Sequence, residues 1–482
     1  MLAKKIALNT IISSIVRVLG TIIALFIIGM MTRYFSKSDW GEYSIIMTFG
    51  SVFSVLAELG LYQIMTREIC RGPVDEKKIA SNIFTLRLLV SFFIFALAPL
   101  VSLLFPYSEQ ARWGILIGML GFWFLSDGQV LMGIFQKYLR MDKVALAEIA
   151  GRLVQLGLVF WLIKKGAGFL PLVSVFTLSS LVNLGLIFVL ARGHIKLTFK
   201  FDFSFWRAII KESWHLALSN VLVMVYFSAG SLLLSVFRPP ADVGIFRLAY
   251  KVLESLIFFP AMFVGLVMPF LSRAAIGNRA EFKAVLQRSQ DVLLIFGVPL
   301  VLGLAVLAQP TIALLGGRNY PEAGPLLAML MVSVGAIFLG TLFSYALIAL
   351  GKQKNLLVIS VVAVSFNLLF NLIFIPRYSY LAVTWSSLLT ESLVTISLWV
   401  VLARLIKFWP SFKVGLKSFL AAGLMALFLW YFRQANLFGL IAAGMAIYFV
   451  VLYLIKGFSW QQILELTKGN EADVVQSPPT QA

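Results

Sequence analysis

The chain has 482 residues, 60% hydrophobic and 13% charged, with a formal net charge of +19 and a mean hydropathy of +0.95. A soluble domain cannot hide that much apolar surface, so the composition excludes a globular cytosolic protein and points to a polytopic helical membrane protein. The basic excess is spread along the chain rather than gathered on one domain, which argues against a nucleic-acid partner.

Lys4 and Lys5 precede an apolar run too long for a signal peptide and without a small-residue cleavage site, so this run reads as the first transmembrane span. Apolar stretches near the length a helix needs to cross then recur about fourteen times. They cover 9–33, 41–66, 79–105, 113–137, 143–163, 169–191, 213–237, 241–272, 284–308, 322–350, 355–376, 379–404, 414–432 and 436–456. Between the sixth and seventh spans, aromatic and aliphatic residues alternate with Arg207, Lys211 and Glu212. That pattern predicts an interfacial amphipathic helix over 201–212. The expected organisation is an N-lobe of six helices (1–200), this linker, a C-lobe of six helices (213–406), two further helices (407–457) and a tail (458–482). The end of the tail is polar, with Pro478 and Pro479, and reads as disordered.

Orientation follows from Lys and Arg. With the N-terminus in the cytoplasm and the spans alternating, one side holds roughly three times as many basic residues as the other. Every internal loop on that side is basic. A miscounted span would scramble the alternation, so the asymmetry predicts cytoplasmic N- and C-termini.

The chain also repeats itself. Ser38-Asp-Trp-Gly-Glu-Tyr43 opens the second span and Ala241-Asp-Val-Gly-Ile-Phe246 opens the eighth. Asp as N-cap and Gly in a tight bend explain each motif singly. Their matching positions, six spans apart, imply parallel six-helix repeats.

Charges lie inside these apolar runs. Arg17 is about 12 Å into its helix, on a face shared with Asn9, Ser13 and Gly20. Arg87 lies at similar depth, Arg152 follows Glu148 by one turn, and Arg247 and Lys251 precede Glu254. Deep acids are Asp127, Glu148, Glu254 and Glu391. Plainer readings stand beside the functional one. Glu148–Arg152 has the spacing of a structural ion pair, Glu254 can simply neutralise Lys251, and Arg17 and Arg87 can snorkel to the interface. Taken together, Arg17, Arg87, Arg152, Arg247 and Lys251 exceed what lipid contact sustains. They predict an internal aqueous cavity suited to an anionic ligand, especially a phosphate. Asp127, Glu254 and Glu391 are the acids able to take up a coupling proton or sodium ion.

The chemistry of an enzyme is not legible. There is one cysteine, Cys70, and two distant histidines, His194 and His215, so neither a disulfide nor a metal site is expected. No P-loop, His-Glu-x-x-His or nucleophile–His–acid pattern occurs. The short outer loops disfavour an alternative of a different class, a polytopic polysaccharide polymerase or glycosyltransferase.

Three stretches stand out: Thr32-Arg-Tyr-Phe-Ser-Lys-Ser-Asp-Trp-Gly-Glu-Tyr-Ser44, the run from Asp242 to Pro260 followed by Met268-Pro-Phe-Leu-Ser-Arg273, and Phe366-Asn-Leu-Leu-Phe-Asn-Leu-Ile-Phe-Ile-Pro-Arg-Tyr378 with Ala382 and Glu391. They resemble the polysaccharide-transporter (Wzx-type) oligosaccharide flippases. The resemblance spans nearly the whole chain. It implies the all-α fold of the multidrug/oligosaccharidyl-lipid/polysaccharide (MOP) exporter superfamily: two six-helix lobes around a central cavity, with two extra helices. It implies a substrate, an oligosaccharide on a polyprenyl pyrophosphate moved from inner to outer leaflet, and partners among membrane lipids, a polymerase and other polysaccharide-assembly proteins. No cofactor is implied beyond a coupling H⁺ or Na⁺. Its cavity cations correspond to Arg17 and to Arg247 or Lys251. Two departures bear on ion coupling and gating. The seventh helix reads Tyr226-Phe-Ser-Ala-Gly230 without the family's acid, and Pro376-Arg-Tyr-Ser379 lacks the family's glycine. The alternatives are a drug/cation antiporter, which would favour an acidic or apolar cavity, and a lipid II flippase.

Overall fold

In a computed structural model the described residues, 2–70, 76–195 and 197–457, form α-helices joined by short turns. The side chains of 2–15, 17, 70, 212, 214–220, 222, 223, 225 and 226 lie outside that description, as does the expected tail. The helices are α1 (Leu2–Tyr34), α2 (Lys37–Glu58), α3 (Leu61–Cys70), α4 (Glu76–Ser102), α5 (Glu109–Lys137), α6 (Met141–Lys164), α7 (Phe169–Arg192), α8 (Phe203–Phe237) and α9 (Pro240–Leu256). They continue as α10 (Phe258–Gly277), α11 (Arg279–Val306), α12 (Ala308–Gly316), α13 (Ala323–Ala349), α14 (Gln353–Tyr378), α15 (Tyr380–Ile406), α16 (Lys413–Tyr431) and α17 (Leu437–Leu454).

Twelve spans among the described residues are long and apolar enough to cross a membrane. The described parts of α1 and α8 add two shorter apolar stretches, Val18–Tyr34 and Phe227–Phe237. All fourteen expected spans therefore fall on helices. Two crossings are each built from two helices, Lys37–Ile69 from α2 and α3 and Pro240–Gly277 from α9 and α10; the first is broken by left-handed residues at Leu59 and Gly60, while Ile257 in the second keeps helical dihedrals. Backbone freed at such breaks must be satisfied inside the protein, because lipid supplies no partner.

The chain divides into two compact units. The first comprises Met1–Ser255, Ile312–Leu330 and Leu357–Val394. Its apolar core joins α3, α4, α5, α6 and α7 through residues such as Ile64, Met65, Ile83, Leu131, Phe135 and Ile187. The second comprises Leu256–Thr311, Met331–Leu356 and Thr395–Ala482. There α16 packs on α11 and α17 around Ala421, Met425, Leu429 and Tyr448. The Tyr448 hydroxyl donates to the carbonyl of Ile295 at 2.7 Å.

Within the first unit, residues 197–202 run extended along α4. The N–H groups of Thr198, Lys200 and Asp202 donate to Ser81 Oγ (3.1 Å), Thr85 Oγ1 (3.2 Å) and Asn82 Oδ1 (3.1 Å). The alternate residues Phe199, Phe201 and Phe203 are left exposed. Asp202 caps α8 by accepting from the N–H of Phe205 at 3.0 Å. That bond, with the Lys78 ammonium, holds its carboxyl below the usual carboxylate range. Residues 203–212, where the sequence predicts an interfacial helix, are the first turns of α8, which runs unbroken for 35 residues.

Candidate functional site

The helix α6 presents Glu148, Arg152 and Gln155 to a cavity of about 360 Å³ inside the first unit. Three helices complete the wall: Gly20 and Thr21 from α1, Leu125 and Gln129 from α5, and Phe176, Ser179, Ser180 and Asn183 from α7. The lining thus combines one cation, one anion, three amides and three hydroxyls. Glu148 and Arg152 are both exposed although they lie mid-helix in an apolar span. An exposed charge at that position is sustainable only where the wall faces water or a ligand rather than lipid tails. Glycine lets Arg152 lie against α1, since a Cβ on Gly20 would stand 3.2 Å from Arg152 Nε. Gly151 does the same for α7, where a Cβ would meet Asn183 Cβ at 3.2 Å.

A second charged group sits on α9. Glu254 accepts from Lys251 Nζ at 2.8 Å and pairs with Arg247 Nη1 at 3.0 Å. The Arg247 guanidinium also lies over the Tyr250 ring, 5.4 Å from its centroid. The three side chains are 14% (Arg247), 39% (Lys251) and 29% (Glu254) exposed, so the group is half-buried and carries one net positive charge. Lys251–Glu254 was legible as an i, i+3 pair. The share taken by Arg247 was not, because i, i+7 spans two turns and needs both long side chains extended. Glu391, on α15, lies within electrostatic reach of Tyr250.

Arg87 and Asp127 belong to neither group. Each is 2% exposed. The Arg87 guanidinium donates to the carbonyl of Ala57 and to Ser126 Oγ, and more distantly to the Ser126 carbonyl at 3.4 Å. Asp127 accepts from Ser91 Oγ at 2.8 Å. The side chain of Arg17 lies outside the described residues; its helix supplies Gly20 and Thr21 to the cavity around Arg152.

A third polar group escaped sequence reasoning. On α14 and α15, Asn371 donates to Asn367 Oδ1 (3.0 Å), and Asn367 to Thr390 Oγ1 (3.2 Å). Asn371 Oδ1 is buried without a partner. The available signal was two asparagines one turn apart in an otherwise apolar run.

The repeated Asp-x-Gly-x-aromatic motifs meet each other. Trp40 Nε1 donates to the carbonyl of Gly244 at 3.2 Å. A Cβ on Gly41 would lie 1.7 Å from Pro240 O, and one on Gly244 would lie 2.8 Å from Lys37 O. Glycine at both positions is therefore what lets the first turns of α2 and α9 cross backbone to backbone. Lys37 Nζ pairs with Glu322 at 2.8 Å, and Thr32 Oγ1 and Arg33 donate to the carbonyls of Leu315 (2.7 Å) and Leu314 (2.8 Å). Ser379 donates to Asp242.

The second unit holds a cavity of opposite character, about 640 Å³, lined by Phe259, Met262, Phe296, Leu300, Met445 and Phe449 among other apolar residues.

Residues 6–275, more than half of the chain, match a family described as polysaccharide biosynthesis proteins. No curated protein matches the sequence. Among solved structures the fold is similar to lipid II flippase MurJ in an inward closed conformation, with a TM-score of 0.76 and 16% identity over 95% of this chain and 100% of that one. It is similar also to an inward-facing multidrug resistance MATE family transporter of the MOP superfamily, at TM-score 0.66 and 15% identity over 80% of this chain and 94% of that one. A MOP superfamily transporter from Pyrococcus furiosus aligns at TM-score 0.61 and 15% identity, over 83% of this chain and 95% of that one. The all-α MOP fold expected from the sequence is thereby shown.

Proposed function

The chain belongs to the polysaccharide biosynthesis protein family, and we propose that it is a flippase that moves an oligosaccharide on a polyprenyl pyrophosphate from the inner to the outer leaflet of a prokaryotic inner membrane. The observation that carries this reading is the α1–α5–α6–α7 cavity, where an exposed arginine stands among amides and hydroxyls. A guanidinium binds phosphate oxygens two at a time, and amides and hydroxyls pair with sugar hydroxyls. Arg17, from the helix that supplies Gly20, and Arg247 and Lys251 on α9 add positive charge for the same anion. With the basic loops in the cytoplasm, the Gly41–Gly244 crossing lies at the outer end, and its opening is the step that releases cargo outward in an alternating-access cycle. In this reading the protein acts by binding and conformational change rather than by bond chemistry.

Among the acids, Glu254 is engaged by two cations, so an ion binding there would have to displace both. Asp127 and Glu391 are the better candidates for a coupling proton or sodium ion.

The test is flipping in proteoliposomes with three cargoes: a lipid-linked oligosaccharide, lipid II and an organic cation. Wild-type protein should flip the first, and Arg152→Ala should reduce that at least about tenfold, equivalent to one lost charge-assisted contact. Flipping of lipid II alone, or transport of the cation alone, would replace the oligosaccharide reading with the corresponding alternative.

A further inference from the structure

The second crossing, Lys37–Ile69, is broken between α2 and α3 at Leu59 and Gly60, both in the left-handed region at φ 47° and 68°. In an unbroken helix the carbonyl of Ala57 would accept from the N–H of Leu61, four residues on. Here it accepts from the guanidinium of Arg87, on α4. Ala57 and Arg87 are 0% and 2% exposed, so water does not serve either group. The arrangement also obeys the helix dipole: a buried cation stands at the C-terminus of α2, where the last carbonyls carry partial negative charge. The other face of Arg87 is held by Ser126 on α5. The neighbouring Asp127 carboxylate and Glu58 lie within electrostatic reach of the same guanidinium.

We propose that the Leu59–Gly60 break is a hinge within the membrane and that Arg87 is the positioning residue that keeps it bent. The geometry provides two states in each of which the Ala57 carbonyl has a partner. Bent, the Ala57 carbonyl belongs to Arg87. Straightened, that carbonyl returns to the N–H of Leu61, and the released guanidinium turns to Asp127, next along α5 from Ser126. Arg87 thus competes with the backbone for one acceptor, and the energetic difference between the two partners sets how often the span straightens. This gives Arg87 a task in the movement of the chain and not in contact with cargo, and it holds whatever the cargo is.

The test is a distance measurement on full-length protein in nanodiscs, in a Cys70→Ser background with spin labels at the exposed positions Ser38 and Gln63. A continuous helix would separate their backbones by about 37 Å. Wild-type protein should give a single shorter population. Arg87→Met should add a second population near the continuous-helix distance, and Arg87→Lys should return most of it to the short one, since an ammonium still donates to the carbonyl. Gly60→Ala, which disfavours the left-handed backbone with Arg87 intact, should produce the same longer population and serves if Arg87→Met fails to fold. Unchanged distances in both Arg87→Met and Gly60→Ala would overturn the hinge. A shift in Gly60→Ala without one in a folded Arg87→Met would overturn the role of Arg87.

Discussion

Arg87 and Arg152 look alike in the sequence, yet the fold treats them as opposites. Both sit well inside an apolar span and both were expected to line a cavity. Arg152 is exposed, with glycines at positions 20 and 151 opening room around it, in a wall rich in amides and hydroxyls. Arg87 is sealed away and spends its donors on a broken helix end and a serine. Depth along a helix therefore does not tell a ligand-binding cation from a structural one. What separates them is whether the acceptors around the guanidinium already belong to the protein. Arg87 has found acceptors in Ala57 and Ser126, whereas Arg152, with Glu148 within electrostatic reach, also faces an open space that something else can occupy.

The largest expected effect comes from Arg87→Ala. It strands the Ala57 carbonyl for as long as the span stays bent and leaves Asp127 without its nearby cation. Each buried acceptor left without a partner costs about 1–3 kcal/mol, and an uncompensated buried carboxylate costs more. Relief of the buried arginine offsets part of this, but the acceptors remain desolvated. The thermal midpoint in detergent should fall by several degrees, and a midpoint equal to wild type would remove the structural half of the comparison.

Arg152→Ala should do the reverse. It deletes a residue whose insertion costs about 2.5–3.5 kcal/mol, so abundance and midpoint should hold while flipping falls about tenfold or more. Arg152→Lys should restore only part of the activity, because the ammonium keeps the charge and loses the planar fork. Destabilisation of Arg152→Ala with flipping intact per folded molecule would make Glu148–Arg152 the structural pair that its spacing first suggested.

How much of this was legible depends on whether the signal was local. The spans were, because apolar run length is a property of one segment: 79–105 and 143–163 fall on α4 and α6 with ends differing by a few residues. Glu148, Arg152 and Gln155 were legible as one helical face. Gln129, Ser179, Ser180 and Asn183 were not, since they reach the cavity from two other helices. The break at Leu59–Gly60 had a glycine to announce it, but its second left-handed residue is a leucine, and its brace comes from a residue 30 positions away. The repeated glycines at 41 and 244 were read as turn formers. Their reason is a crossing of two backbones, which only the folded chain reveals.

A smaller effect is expected from Ser91→Ala, which takes from Asp127 its 2.8 Å hydroxyl donor. A hydrogen bond to a charged group contributes about 1.5–3 kcal/mol. Arg87 remains within reach of the carboxylate, so the loss should fall at the low end and below that of Arg87→Ala. The double variant Ser91→Ala/Arg87→Ala should then cost more than the two singles added, because the first removes the partner on which the second relies. Additive midpoint shifts would mean that Ser91 and Arg87 act independently, and would sever Asp127 from the Arg87 group.

The smallest effect belongs to a third cation, Lys37, which extends the comparison to the rim. Its pair with Glu322 has good geometry at 2.8 Å, but the two side chains are 34% and 37% exposed. Ion pairs in such solvent contribute about 0–1 kcal/mol, because water already satisfies both ends and ordering two long side chains offsets the gain. A cycle of Lys37→Met and Glu322→Gln should therefore give a coupling below about 1 kcal/mol that shrinks as salt is raised from low to physiological strength. The cost of Arg87→Ala should not respond to the same change, since ions cannot screen a guanidinium that is 2% exposed. A coupling at Lys37–Glu322 that is large and indifferent to salt would place that pair with Arg87, among the charges that hold the backbone in place. The Gly41–Gly244 crossing beside it would then be fastened by an ion pair as well as by the close fit of two glycines.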